Sequence, residues 1–294
     1  GDHRDLHSFP TRRSFRSRQQ LTDFAGKLII PVANTFTAKG VIPFAGNPLA
    51  LGSAGLQSKD YINCGFDKAD VIICVGYDLV EYHPYLWHPT RDRTIIHIDS
   101  MPAEVDGYYP VAVGVVGDIK HSLLRLAELA TPHQGHRLRP LRDALIEEMD
   151  GLREDDGFPV KPQKIIWDLR TALDQEDIAI CDVGAHKMWM ARMFRCEKPN
   201  TCLISNGFAS MGIAVPGAVA AKLAFPDRKV VAVTGDAGFM MNSQEIETAM
   251  RVGTPFVILI WNDSGYGLIK WKQMNQFGRP ANVDFTNPDF ITYA

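Results

Sequence analysis

Apolar runs and helical patterns alternate along the chain from about residue 21. KLIIPVA (27–33), DVIICVG (70–76), RTIIHID (93–99) and VAVGVVG (111–117) are near-continuous β-branched runs. Such runs suit strands buried on both faces of a parallel sheet. IKHSLLRLAELA (119–130) carries apolar residues at helical spacing and predicts an amphipathic helix, and a short helical pattern follows at 141–149. A second series opens with a helix at about 162–173. Strands follow at 178–184, 201–206, 229–236 and 256–263, with helices at 211–224 and 243–252 and another opening near Tyr266. Repeated strand–loop–helix steps predict two α/β units, each a doubly wound parallel-sheet domain, with ligands beyond the carboxyl ends of the strands.

TPHQGHRLRP and the acidic GLREDDGFP flank the 141–149 pattern, and their Pro, Gly and charge content marks a connection. The expected division is a first domain over 21–131, a connector over 132–160 and a second domain over 161–294. Gly1–Gln20 is basic, nearly free of aliphatics and without either period. No apolar stretch follows its arginines, which excludes a signal peptide. This segment is expected to be disordered and foreign to the fold.

A hydrophobic content of 46% and a charged content of 22% belong to a soluble globular protein. The net charge of −3 argues against a nucleic-acid footprint and against attraction to anionic membranes. No run approaches the roughly 18 apolar residues that cross a bilayer. The five cysteines are odd in number and lack CxxC spacing, and Cys74, Cys181 and Cys202 lie inside apolar runs. They read as small buried hydrophobes in a reducing cytoplasm.

The segment Gly235–Gly267 carries the chemistry. KVVAVT reads as a buried strand that ends at Gly235-Asp236; Asn242 or Ser243 can cap the helix that follows, and its N–H groups could face an anion. Gly253-Thr254-Pro255 stops that helix, and FVILIW returns as the adjacent parallel strand, ending in Asn262-Asp263. Asp236 and Asp263 therefore stand at the ends of neighbouring strands, about 5 Å apart. Paired carboxylates there suit a Mg²⁺ holding a diphosphate. The same two residues would equally serve as surface caps of a plain strand–turn–helix.

This segment resembles the signature of thiamine-diphosphate-dependent enzymes, which opens with Gly-Asp-Gly and closes on Asn or Asp about 27 positions after the first Asp; here 263 − 236 = 27. The resemblance implies Asp236, Asp263 and the main-chain carbonyl of Gly265 as metal ligands. Ala237 replaces the usual Gly, as in acetolactate synthases, and Asp263 is similar to the fermentative members of that group. Asp182-Val183-Gly184-Ala185-His186 and ISNGFASMG (204–212) resemble the same family. They imply cofactor contacts at Val183, Gly184, Ala185, His186, Gly207 and Met211, beside those at Gly235, Asp236, Ala237, Gly238, Asp263 and Gly265. Met211 matches the apolar side chain that folds thiamine diphosphate into its reactive bent shape. On its own, a Met before a helix reads as core packing.

VGYDLVEYHPYLW and DRTIIHID look like the central domain of flavin-free fermentative acetolactate synthases, so FAD is expected to be absent. Trp271 points the other way, toward FAD-binding biosynthetic members, where a tryptophan favours 2-ketobutyrate as second substrate. The implied reaction is decarboxylation of pyruvate with transfer of the hydroxyethyl group to a second 2-oxoacid, in a homodimer or tetramer. The family's glutamate for the aminopyrimidine lies in a domain not represented here, so this chain alone is expected to lack turnover. Two other readings stand. One is a related decarboxylase or carboligase acting on benzoylformate, oxalyl-CoA or glyoxylate; the other is a non-catalytic nucleotide-binding module, which the absence of GxGxxG disfavours.

Overall fold

The computed structural model describes residues 16–56, 60–104, 106–131 and 138–294. The chain folds into two compact α/β units, one of Gly1–Leu152 with Arg195–Pro199 and one of Arg153–Phe194 with Asn200–Ala294. All strand pairings within their sheets are parallel.

In the first unit β1 (Val32–Asn34) pairs with β2 (Ala50–Ser53), and a separate sheet has the order β3-β4-β5 (Val71–Val75, Thr94–Asp99, Val111–Val116). Ile72, Cys74 and Ile95 pack in one core with Ile62, Tyr82, Trp87, Tyr109 and Leu145. That layer is tied by hydrogen bonds: Trp87 Nε1 donates to Tyr77 Oη at 3.1 Å, and Tyr82 Oη donates to Asn63 Oδ1 at 3.0 Å. Helix Ile119–Leu129 is capped by Asp118, whose carboxylate accepts from His121 N at 2.7 Å.

Three expectations change here. KLIIPVA is not one strand: its start completes the helix Arg18–Leu28, Ile29 caps that helix in the left-handed region, and the strand begins only at Val32. Leu21, Phe24, Ala25 and Leu28 are buried at helical spacing, a period hidden by setting aside everything before residue 21. The segment expected to be disordered therefore contributes a helix start at Arg18, while residues 1–15 lie outside the described residues. The expected connector contains the helix Arg139–Asp150, which belongs to this unit's core. Its Leu145 is fully buried, and Arg142 donates from Nη2 to the Phe44 carbonyl at 2.8 Å and from Nη1 to that of Ala50.

The second unit holds the sheet β7-β6-β8-β9 (Cys202–Ile204, Ile178–Cys181, Val230–Gly235, Val257–Trp261). Helix Ala214–Ala224 covers it, with Ala214 and Ala218 against Ile178, Ile180, Val230 and Ala232. The helix expected over 243–252 is present as Glu245–Val252, and a short helix not expected from the sequence, Asp236–Asn242, precedes it. Glu245–Val252 ends on Gly253 in the left-handed conformation (φ 68°), two residues before Pro255. Cys74, Cys181, Cys196 and Cys202 are buried, and burial pushes the Cys74 thiol up to about 12. Among the described residues no helix is long and apolar enough to cross a membrane.

Candidate cofactor site

The strand order β7-β6-β8-β9 places the point of reversal between β6 and β8, because the chain leaves β6 for one edge and returns on its other side. Such sheets open a crevice there, outside the carboxyl ends of the strands. Asp182, Asp236 and Asp263 follow the carboxyl ends of β6, β8 and β9.

Asp236 is only 1% exposed, and hydrogen bonds define its carboxylate. Oδ1 accepts from Ala237 N at 2.7 Å; Oδ2 accepts from Ser264 N at 2.7 Å and from Asn287 Nδ2 at 2.6 Å. Ser264 reaches this position with a positive φ of 54°, a conformation few non-glycine residues adopt. Asp263 faces solvent as a residue, but its Oδ2 is turned toward the start of helix Gly267–Phe277, 2.8 Å from where a Cβ on Gly267 would stand. Packing around this carboxyl and the nearby charge of Asp236 raise its pKa, partly offset by the Gly265 N–H. Two carboxylates in one field repel, and a cation between them removes the conflict. Among the described residues no three His, Cys, Asp or Glu side chains converge as a metal cluster. A metal here would rest on two carboxylates, a main-chain oxygen and the oxygens of its ligand.

Gly265 is held in a short antiparallel bridge with Asp284. Tyr266 N donates to the Val283 carbonyl at 2.8 Å, and Phe285 N donates to that of Ser264 at 3.1 Å. Segment Val283–Asn287 thus folds back over the loop after β9. Ala237, Met240, Met241, Tyr266, Phe285 and Asn287 line a pocket of about 300 Å³ beside it.

Asp182 has a different task. Its buried carboxylate accepts from Val183 N at 2.7 Å, from Gly212 N at 2.8 and 3.0 Å, from Ala214 N at 3.3 Å and from Thr234 Oγ1 at 3.2 Å. These bonds hold the turn at Met211-Gly212 and the start of helix Ala214–Ala224. Met211 itself is half-buried and precedes the helix rather than opening it. Asn242 does not cap the following helix; its amide donates to the Gly212 carbonyl at 2.8 Å and pins the same turn. Ser243 accepts from Tyr293 Oη at 2.9 Å, and helix Glu245–Val252 starts without a side-chain cap. Gly212 needs its positive φ of 84°, and a Cβ there would stand 2.6 Å from the Asn242 amide.

His186 lies in the first turn of helix Ala185–Met193 and is 5% exposed. Its ring folds back over Gly184, where a Cβ would stand 2.7 Å from Cε1, and it lies 3.4 Å from the Cβ position of Gly235. Among the described residues His186 Nε2 is buried without a hydrogen-bond partner. Burial lowers its pKa to about 4, against the opposing pull of Asp182. Ala185 adjoins the Gly267 turn at 3.7 Å, and Gly238 stands 3.2 Å from the Asp182 carboxyl carbon by its Cβ position. The structure therefore gathers Val183–His186, Gly235–Gly238, Met211-Gly212 and Asp263–Gly265 around one crevice. Gly207 sits on an exposed loop with φ 75°, and Trp271 is 51% exposed on a helix with no buried residue. Sequence reasoning missed Asn287, which lies 51 positions beyond Asp236 and outside the signature. It also missed Lys187, whose buried ammonium donates to Asn206 Oδ1 at 2.8 Å.

Residues 11–126 match the family described as "Thiamine pyrophosphate enzyme, central domain", and residues 182–294 match "Thiamine pyrophosphate enzyme, C-terminal TPP binding domain". Acetolactate synthase of Bacillus subtilis (strain 168) is 34% identical over 91% of this chain and 48% of its own length. The catabolic acetolactate synthase of Raoultella terrigena is 33% identical over 83% of this chain and 44% of its own. The acetolactate synthase large subunit of Corynebacterium glutamicum is 32% identical over 94% and 46%. The chain spans about half the length of these curated relatives. It belongs to the thiamine pyrophosphate enzymes, of which it carries the central domain and the C-terminal cofactor-binding domain.

Proposed function

We propose that the protein carrying this chain is a thiamine-diphosphate- and Mg²⁺-dependent acetolactate synthase, which decarboxylates pyruvate and joins the two-carbon unit to a second 2-oxoacid. The observation that carries this reading is the pair Asp236 and Asp263 at the ends of adjacent parallel strands beside the reversal point. The residues present fit the cofactor. Two coupled carboxylates suit a divalent cation, and the buried, unpartnered Nε2 of His186 suits a polar partner in the crevice. When bound, thiamine diphosphate supplies the carbanion chemistry. Asp236, Asp263 and the Gly265 carbonyl would hold Mg²⁺ and, through it, the diphosphate. The Val183–His186 loop would face the diphosphate's far end, and Met211 would support the bent cofactor from its braced turn.

In the first unit β3-β4-β5 adds each strand on the same side, so its described residues form no reversal crevice. One face is filled by Tyr82, Trp87 and Tyr109. Both features count against the nucleotide-module reading. Exposed Phe208, Ile269, Trp271 and Phe277 support assembly with further protein surface, as a homodimer or tetramer.

The test is made on the full-length protein with pyruvate, thiamine diphosphate and Mg²⁺. We expect acetolactate, and we expect Asp236→Ala to lose Mg²⁺-dependent cofactor retention with the far-ultraviolet circular dichroism unchanged. Aldehyde without acetolactate would favour a simple decarboxylase. Binding of ADP or NAD without thiamine diphosphate would favour the module.

A further inference from the structure

We infer that Asn287 is a positioning residue that makes Asp236 a single-oxygen ligand and so tunes the site to Mg²⁺. The inference rests on the cofactor reading above and concerns a residue outside its signature. A carboxylate oxygen offers about two acceptor directions. Oδ2 of Asp236 has both taken, by Asn287 Nδ2 at 2.6 Å and Ser264 N at 2.7 Å. Oδ1 accepts only Ala237 N among the described contacts, at 2.7 Å, and keeps a direction for a cation.

The Asn287 amide can act in one sense only. Its nitrogen has two hydrogens, which reach Asp236 Oδ2 at 2.6 Å and Asn262 Oδ1 at 2.9 Å, with Ser264 Oγ more distant at 3.4 Å. Turned over, the amide would set its oxygen against two acceptors, so the network decides the orientation. The residue is brought there by the strap over the β9 loop, through the Tyr266–Val283 and Phe285–Ser264 main-chain bonds. One side chain thereby links the end of β8, the end of β9 and the returning strap.

The consequence concerns the choice of metal. Mg²⁺ demands near-octahedral geometry and short bonds, whereas Ca²⁺ accepts larger, looser shells with bidentate carboxylates. Blocking Oδ2 denies Asp236 the bidentate mode. Releasing it should cost Mg²⁺ more than Ca²⁺.

The experiment titrates thiamine diphosphate binding to the full-length protein by tryptophan fluorescence, with Mg²⁺ or Ca²⁺ varied, for wild type, Asn287→Leu and Asn287→Ala. Leu keeps the bulk and loses the donor; Ala serves if Leu does not fold, as judged by melting in EDTA. We expect the Mg²⁺ concentration for half-saturation to rise about tenfold, in the range for loss of a partner that orients a ligand. We expect the Ca²⁺ value to change less, moving the Mg²⁺-to-Ca²⁺ ratio. An unchanged ratio with a lowered melting temperature makes Asn287 a structural tie and overturns the inference while leaving the cofactor reading intact. Wild-type binding that ignores both cations removes the cofactor reading, and this inference with it.

Discussion

Both carboxylate oxygens of Asp182 accept the main-chain N–H of Gly212, at 2.8 and 3.0 Å, across 30 positions of sequence. The bond ties the loop after β6 to the turn that carries Met211. With Val183, Ala214 and Thr234 as further donors, the carboxylate serves the protein's own backbone rather than a ligand. Asp182→Asn turns one acceptor into a donor that faces these N–H groups. Leaving them unpaired in the interior should cost about 3 kcal/mol. The midpoint of urea unfolding reads this directly, and a loss below about 0.5 kcal/mol would mean the network is not holding the turn.

Met211→Ala should separate geometry from anchoring. The side chain is half-buried, so truncation should cost less than the roughly 2–5 kcal/mol of a fully buried methionine. Turnover should fall far more than thiamine diphosphate affinity, because the anchor proposed at Asp236 and Asp263 is untouched. Melting and steady-state kinetics on one preparation decide it. A loss of stability alone would return Met211 to a packing role.

Acid should weaken the apo fold through His186. Burial depresses its pKa from the ordinary 6.5 to about 4. Between those values the unfolded chain binds a proton that the folded one refuses, so stability is full above pH 6.5 and declines as pH falls toward 4. At pH 5 the loss is about 2 kcal/mol, from 1.36 kcal/mol per unit. Melting in EDTA without cofactor, compared at pH 7 and pH 5, should show this decline in wild type. His186→Gln should show a flatter profile; parallel profiles would remove His186 as its cause.

Trp271 should govern the acceptor without governing the fold. It is 51% exposed, so Trp271→Leu should shift stability by no more than about 0.5 kcal/mol. A methylene in an apolar pocket is worth roughly 10- to 200-fold in discrimination. With pyruvate and 2-ketobutyrate in competition, wild type should favour acetohydroxybutyrate and the variant should approach parity. Equal product ratios for the two proteins would leave Trp271 without a substrate role.

The sequence by itself determined the local features. Near-continuous β-branched runs marked the strands β3, β4, β6, β8 and β9, and the strand–turn–carboxylate pattern put Asp236 and Asp263 at strand ends. Both follow from short-range rules: period, turn chemistry and spacing along one chain. Helix Arg18–Leu28 was hidden by its polar neighbours; the helical pattern at 141–149 was legible, but its charged setting masked the buried Leu145 that joins Arg139–Asp150 to the first unit's core. Tertiary structure alone decided which groups share the crevice. Asn287 meets Asp236 only because the strap pairs backward on Gly265, and Asp182 meets Gly212 only because the chain crosses from β6 to the next parallel strand and back. Hydrogen bonds between residues 30 and 51 positions apart depend on strand order and loop return, which no local pattern encodes.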